Sequence, residues 1–185
     1  MAYVPEDRTH VGSAPNLSIT DNIIMKNYRK PPILKNGLLD MKAATKLANE
    51  LKLAYEIVVP TVSTPVRLLS GGNLQRVILA REISGLPSFM VAVQPTRGLD
   101  VGAIEGVHRL LLAQREAGAA VLLVSEELEE LLSLCDRVYV IYEGKIMGQV
   151  KTFSGEADQR MIEVIGLMMT GMPLDQILKE GVHNG

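Results

Sequence analysis

Apolar positions along this chain fall into two periods, and the points where one period gives way to the other mark out its elements. Ala2, Tyr3 and Val4 read as the end of a short strand running into the polar turn Pro5-Glu6-Asp7-Arg8. Ser18-Ile19-Thr20-Asp21 has capping-box spacing ahead of Ile23, Ile24 and Met25, which predicts a helix over 18–27, ended by Pro31-Pro32. Asp40 can cap a second helix to about residue 51, with Ala44, Leu47, Ala48 and Leu51 on one face and lysines on the other. The proline-bearing stretch 54–66 reads as a connector.

Helical spacing returns at Leu74, Val77 and Ile78, with Ser70 as N-cap and Gly71-Gly72 opening the helix. Phe89 to Val93 is an unbroken apolar run between Pro87 and Pro95, expected as a strand buried on both faces of a parallel sheet. A helix over 101–116 turns Ile104, Val107 and Leu111 inward and stops at Gly118. A second buried strand spans 119–124. Ser125 can cap a helix over 126–134, and a third strand over 137–142 turns at Glu143-Gly144 into 145–150. The tail reads as helices over 155–170 and 173–179, with Met161, Met168 and Met169 as packing residues. Strand, helix, strand, helix, strand predicts a parallel sheet with right-handed crossovers, an α/β fold.

Composition narrows the function classes. A formal net charge of −2 and few aromatics give no footprint for nucleic acid. The single cysteine, Cys135, excludes an internal disulfide and reads as a small core residue. His10, His108 and His183 are far apart, with no cysteine or carboxylate at ligand spacing, so no metal site is assigned. No apolar run reaches the length of a membrane span.

The chemistry concentrates in Leu68-Leu69-Ser70-Gly71-Gly72-Asn73-Leu74-Gln75-Arg76. A serine cap followed by two glycines leaves bare N–H groups at the positive end of a helix dipole, an end that attracts phosphate. For a bare Ser-Gly-Gly, a capped helix with a glycine-rich entry is the plainer reading. The whole string, however, resembles the signature sequence of ABC-type ATPases, in which LSGGQ or LSGGN caps the γ-phosphate of an ATP held mainly by a partner domain. Tyr3-Val4-Pro5-Glu6-Asp7-Arg8 is similar to a stretch in the second nucleotide-binding half of sugar-type and nucleoside-type ABC importers, with Glu6 where most members carry the Q-loop glutamine. Gly98-Leu99-Asp100 resembles the D-loop.

That resemblance implies a partial P-loop NTPase (ABC ATPase) domain: a parallel sheet plus a helical subdomain, truncated before the Q-loop and lacking the phosphate-loop strand and helix. It implies one partial domain over 1–185, with a helical subdomain at about 12–66, the signature helix and α/β core at about 67–150, and C-terminal helices at about 151–185. No GxxxxGK[ST] phosphate loop occurs. Where the family carries the Mg²⁺ aspartate and the catalytic glutamate, this chain has Val93 and Gln94; where it carries the switch histidine, it has Glu126. Valine offers no oxygen to a hard cation, and glutamine cannot take a proton from water as a carboxylate does. By their position alone, Glu126 and Glu127 are ordinary first-turn acids of a helix.

What survives is what a domain lends to its neighbour. The resemblance implies a nucleotide-facing set of Ser70, Gly71, Gly72, Asn73, Gln75, Asp100 and Glu6, no intact catalytic group, and ATP with Mg²⁺ bound mainly by the partner. The partners implied are the first nucleotide-binding domain and transmembrane permease subunits, at the cytoplasmic face of the membrane. An unpaired sheet flank adds a homodimer or a strand-exchanged oligomer. Three alternatives stay open: an ATPase in its own right, a soluble ABC ATPase of DNA repair or translation, and an unrelated α/β binding domain.

Overall fold

The computed structural model describes residues 1–152 and 159–181. The chain divides into two compact units, Met1–Val124 and Ser125–Gly185.

In the first unit, β1 (Ala2–Val4) pairs in parallel with β4 (Phe89–Val93), and β4 in parallel with β5 (Ala120–Val124). The sheet order is β1-β4-β5. Alternation along the strands sends Ala2, Val4, Met90 and Ala92 into the core. Burial on both faces, expected for β4 and β5, does not hold: Val91 and Val93 are half-buried, and Leu122 and Val124 are 51% and 44% exposed. The strand period survives, while the face that carries Val91, Val93, Leu122 and Val124 stays partly open.

The helices are capped where the sequence places caps. In α1 (Ile19–Ile24), Ser18 Oγ accepts from the Asp21 N–H while the Asp21 carboxylate accepts from the Ser18 N–H, a full capping box. A two-stranded hairpin, β2 (Leu34–Lys35) and β3 (Leu38–Leu39), turns at Asn36-Gly37, both at positive φ. Asp40 then accepts from the N–H groups of Lys42 and Ala43 to start α2 (Met41–Ala54), three residues longer than the apolar stripe suggested. The connector is stitched to the start of α1: the Ile19 N–H donates to Thr64 O, the Thr20 N–H to Val62 O, and the Val66 N–H to Leu17 O. After a 3₁₀ turn at Val66–Leu68 comes α3 (Gly71–Ile83), whose Val77, Ile78 and Leu79 are buried. Asp100 caps α4 (Val101–Glu116), which ends at Gly118 with φ +90°. Its inward face is Ala103, Gly106, Val107 and Leu111; Ile104 is only half-buried.

In the second unit, α5 (Leu128–Leu134) precedes β6 (Arg137–Tyr142) and β7 (Lys145–Lys151), followed by α6 (Gln159–Met169) and α7 (Leu174–Gly181). Val138, Val140, Ile165, Met168 and Ile177 form its core, with Cys135 packed against them. Three expectations change here. The expected turn at Glu143-Gly144, both at positive φ, pairs β6 antiparallel with β7, but the two form a sheet of their own and β6 is not the next strand of the parallel sheet. Ser125 does not cap α5: its Oγ accepts from the Glu127 N–H at 3.0 Å, a local turn that keeps 125–127 outside the helix. Glu126 and Glu127 therefore precede α5, and its first-turn acids are Glu129 and Glu130. Met168 is fully buried, but Met169 is 50% exposed. The expected tail-helix residues 155–158, and His183, lie outside the described residues. Among the described residues, no helix is long and apolar enough to cross a membrane.

Candidate functional site

The N-terminus of α3 is exposed at Ser70 and Gly71. Ser70 holds the extended backbone of an N-cap, φ −64° and ψ 157°, and its Oγ accepts from the Asn73 N–H at 3.4 Å and from Asn73 Nδ2 at 3.1 Å. The Asn73 Oδ1 in turn accepts from the Val58 N–H at 2.8 Å. Gly71 and Gly72 occupy the first helical positions, whose N–H groups have no partner within a helix. The packing is tightest at Gly72, while at Gly71 the neighbour is a flexible arginine end. A Cβ on Gly71 would lie 3.2 Å from Arg8 Nη1, and one on Gly72 would lie 3.0 Å from the Ala103 Cβ on α4.

A cleft of about 430 Å³ opens beside this helix end, lined among others by Glu6, Asp7, Arg8, Arg67, Gly71 and Leu74. The turn after β1 shapes its wall. Asp7 Oδ1 accepts from the Thr9 and His10 N–H groups, both at 2.9 Å, and Asp7 Oδ2 meets His10 Nδ1 at 3.0 Å. The His10 backbone bond foremost holds the Asp7 carboxyl below its ordinary value. The guanidinium of Arg8 is half-buried, which disfavours its charged form, and Nη2 donates to the Arg97 carbonyl. Arg97 pairs with Glu6. The loop after β1 is thus tied to the loop after β4. Arg8 and Arg67 were not singled out from the sequence; the signal was Arg8 closing the Pro5-Glu6-Asp7-Arg8 turn.

The other sequence-selected positions are distributed as follows. Asn73 is half-buried, while Gln75, two residues further on, is fully buried, its amide nitrogen and oxygen without a protein partner. Val93 is half-buried at the end of β4. Gln94 follows at φ +47°, 7% exposed, its N–H donating to Val124 O at 2.8 Å. A non-glycine residue in the left-handed region directly after a strand is the kind of strain that gathers at functional turns. Asp100 Oδ1 accepts from the Ala103 N–H at 2.9 Å as the α4 cap. Glu126 belongs to the second unit, where it is exposed.

No protein-family model matches the chain. Among curated proteins it is 42% identical over 171 residues to the guanosine import ATP-binding protein NupO of Bacillus subtilis, covering 92% of this chain and 32% of that protein. It is 43% identical over 173 residues to the glucose import ATP-binding protein TsgD13 of Haloferax volcanii, covering 92% and 30%. Against the nucleoside import ATP-binding protein NupA of Lactococcus lactis it is 40% identical over 171 residues, covering 92% and 33%. In three dimensions it matches the dimeric post-hydrolysis structure of the ATP-binding cassette MJ0796 with ADP and Pi, at a TM-score of 0.66 and 22% identity, over 83% of this chain and 63% of that one. The chain belongs to the ABC ATP-binding family. It spans about a third of the length of the curated relatives it matches.

Membership in the ABC family brings ATP and Mg²⁺ into question, and the donors present answer differently for each. A phosphate group fits the α3 end: open glycine N–H groups, a serine hydroxyl and the nearby Arg8 all favour an anion. A metal does not fit the end of β4. Val93 has no donor atom, and among the described residues no group of three His, Cys, Asp or Glu side chains converges.

Proposed function

We propose that this chain is part of the ATP-binding subunit that energises import of a sugar or a nucleoside, and that it serves as the capping half of a nucleotide sandwich. In this reading Ser70 and the Gly71 and Gly72 N–H groups face the γ-phosphate of an ATP held by the first nucleotide-binding domain, and Asp100 reaches the facing site. Mg²⁺ and the catalytic carboxylate belong to that partner. The observation that carries the reading is the contrast between two places: an α3 end with two glycine N–H groups and a serine hydroxyl, which suit phosphate, and a β4 end at Val93 and Gln94, which offers neither a hard-cation ligand nor a carboxylate base. That the relatives are guanosine, glucose and nucleoside import proteins supports the substrate class.

The rest of the assembly follows from the same reading. Residues 12–66 act as the helical subdomain that transmits motion to transmembrane permease subunits at the cytoplasmic face of the membrane, 67–150 as signature helix and core, and 151–185 as C-terminal helices. The open flank of the β1-β4-β5 sheet also favours a homodimer or strand exchange in the isolated chain. Fluorescent-ATP titration tests the central claim, with the chain alone and mixed with a first nucleotide-binding domain of this family. Weak binding alone, and tighter binding or faster turnover in the mixture that Ser70→Arg removes, is the expected outcome. Tight Mg²⁺-dependent binding by the chain alone would overturn it.

A further inference from the structure

The direction of every hydrogen bond around Asn73 is dictated by chemistry. The Val58 backbone N–H can only donate, so the Asn73 group at 2.8 Å from it must be the carboxamide oxygen. That turns the carboxamide NH₂ toward Ser70, where it can only donate, to Oγ at 3.1 Å. The Asn73 backbone N–H, at 3.4 Å, claims the same oxygen. With two donors aimed at Oγ, the Ser70 hydroxyl is left to offer its proton away from the helix, on the exposed side of the α3 end.

We propose that Asn73 is a positioning residue that fixes the Ser70 hydroxyl as an outward donor to phosphate, and that the Val58 main chain fixes Asn73. The proposal rests on the reading of Ser70 as facing phosphate. A serine serving only as an N-cap needs its oxygen for the Asn73 N–H and nothing more. The side-chain bond from Asn73 adds a second donor that helix capping does not require, and it carries the state of the connector, itself bonded to the start of α1, to the atom that would meet the ligand. Glutamate or aspartate at this position would do the reverse. A carboxylate accepts from Val58 and also from the Ser70 hydroxyl, and so draws the proton inward.

The test is a double-mutant cycle on the full chain, reading its ATP-dependent affinity for a first nucleotide-binding domain of this family. Ser70→Ala and Asn73→Asp should each weaken that affinity about tenfold, the scale of one hydrogen bond to a charged group. In the Ser70→Ala background, Asn73→Asp should cost little more. Amide hydrogen exchange supplies a second readout: the Val58 N–H should exchange faster in Asn73→Ala and keep its protection in Asn73→Asp. If Asn73→Asp keeps its full effect without the Ser70 hydroxyl, plain charge repulsion explains it and the proposal falls. It also falls if Asn73→Asp is silent while Ser70→Ala is not, or if Val58 exchange ignores Asn73→Ala. Should Ser70→Ala itself leave the affinity unchanged, the phosphate reading fails first and takes the proposal with it.

Discussion

Glu82 sits at the end of α3 with its side chain 1% exposed, bonded to the Tyr3 N–H of β1 at 2.9 Å, to Arg81 Nε at 3.0 Å and to Lys26 Nζ. A buried carboxylate with cationic partners contributes little net stability, but removing one partner leaves a charge uncompensated. Glu82→Ala should lower the unfolding free energy by about 3 kcal/mol in urea denaturation, and Glu82→Gln by less, since an amide oxygen still accepts from Tyr3. Asp100 separates structure from function in another way. Asp100→Ala should cost about 1 kcal/mol through loss of the α4 cap, while Asp100→Asn keeps the cap and leaves stability near wild type; any loss of ATP-dependent affinity for the partner domain in Asp100→Asn then belongs to its charge. Asp7 gives the pH dependence. Its carboxyl is held below the ordinary value of 3.8, so its contribution is complete above that value and is lost as pH falls through the lower folded one. The protection of the Thr9 and His10 amides, measured against their intrinsic exchange rates, should therefore persist through mild acid and fall only below the ordinary carboxylate range. At this scale the sequence was readable where a residue acts on neighbours in the chain, as Ser18, Asp40 and Ser70 do. It was opaque for Glu6, whose partner Arg97 is 91 positions away.

Elements built on local caps came out close to their expected bounds. The α4 range matched in full, because Asp100 and Gly118 are both local signals. Strand partners were harder, since pairing is decided between segments distant in sequence. The Glu143-Gly144 turn correctly signalled the β6–β7 hairpin, whereas alternation with helices, which suggested that β6 also extends the parallel sheet, did not hold. The Asn36-Gly37 pair carried the same hairpin signal for β2 and β3 and went unread. Within the second unit, β7 lies so close to its helices that a Cβ on Gly148 would come 2.5 Å from the Leu174 Cβ and 2.7 Å from Met168 Sδ. Gly148→Ala should thus destabilise this unit by about 1–3 kcal/mol, measured as a shift in its denaturant midpoint, with neighbouring Gly166→Ala, where nothing stands within 4 Å, as the control.

For the whole molecule, the order of motifs along the chain was enough to place it among ABC proteins, because each short motif has little meaning alone and their sequence has a great deal. Solvent exposure could not be read that way. Leu122 and Val124 belong to an apolar run that looks like core and yet stand open on β5. Sedimentation of the isolated chain should therefore reveal concentration-dependent self-association, reduced by Leu122→Lys, since a lysine on an open strand discourages pairing. The polar relay at the α3 end has a different kind of reach. Its first donor is a main-chain N–H, which every residue except proline supplies, so position 58 is free to drift in almost any direction while position 73 is held to a side chain that both accepts and donates. Across the relatives, the constraint should leave its mark at the carboxamide and almost none at the residue that orients it.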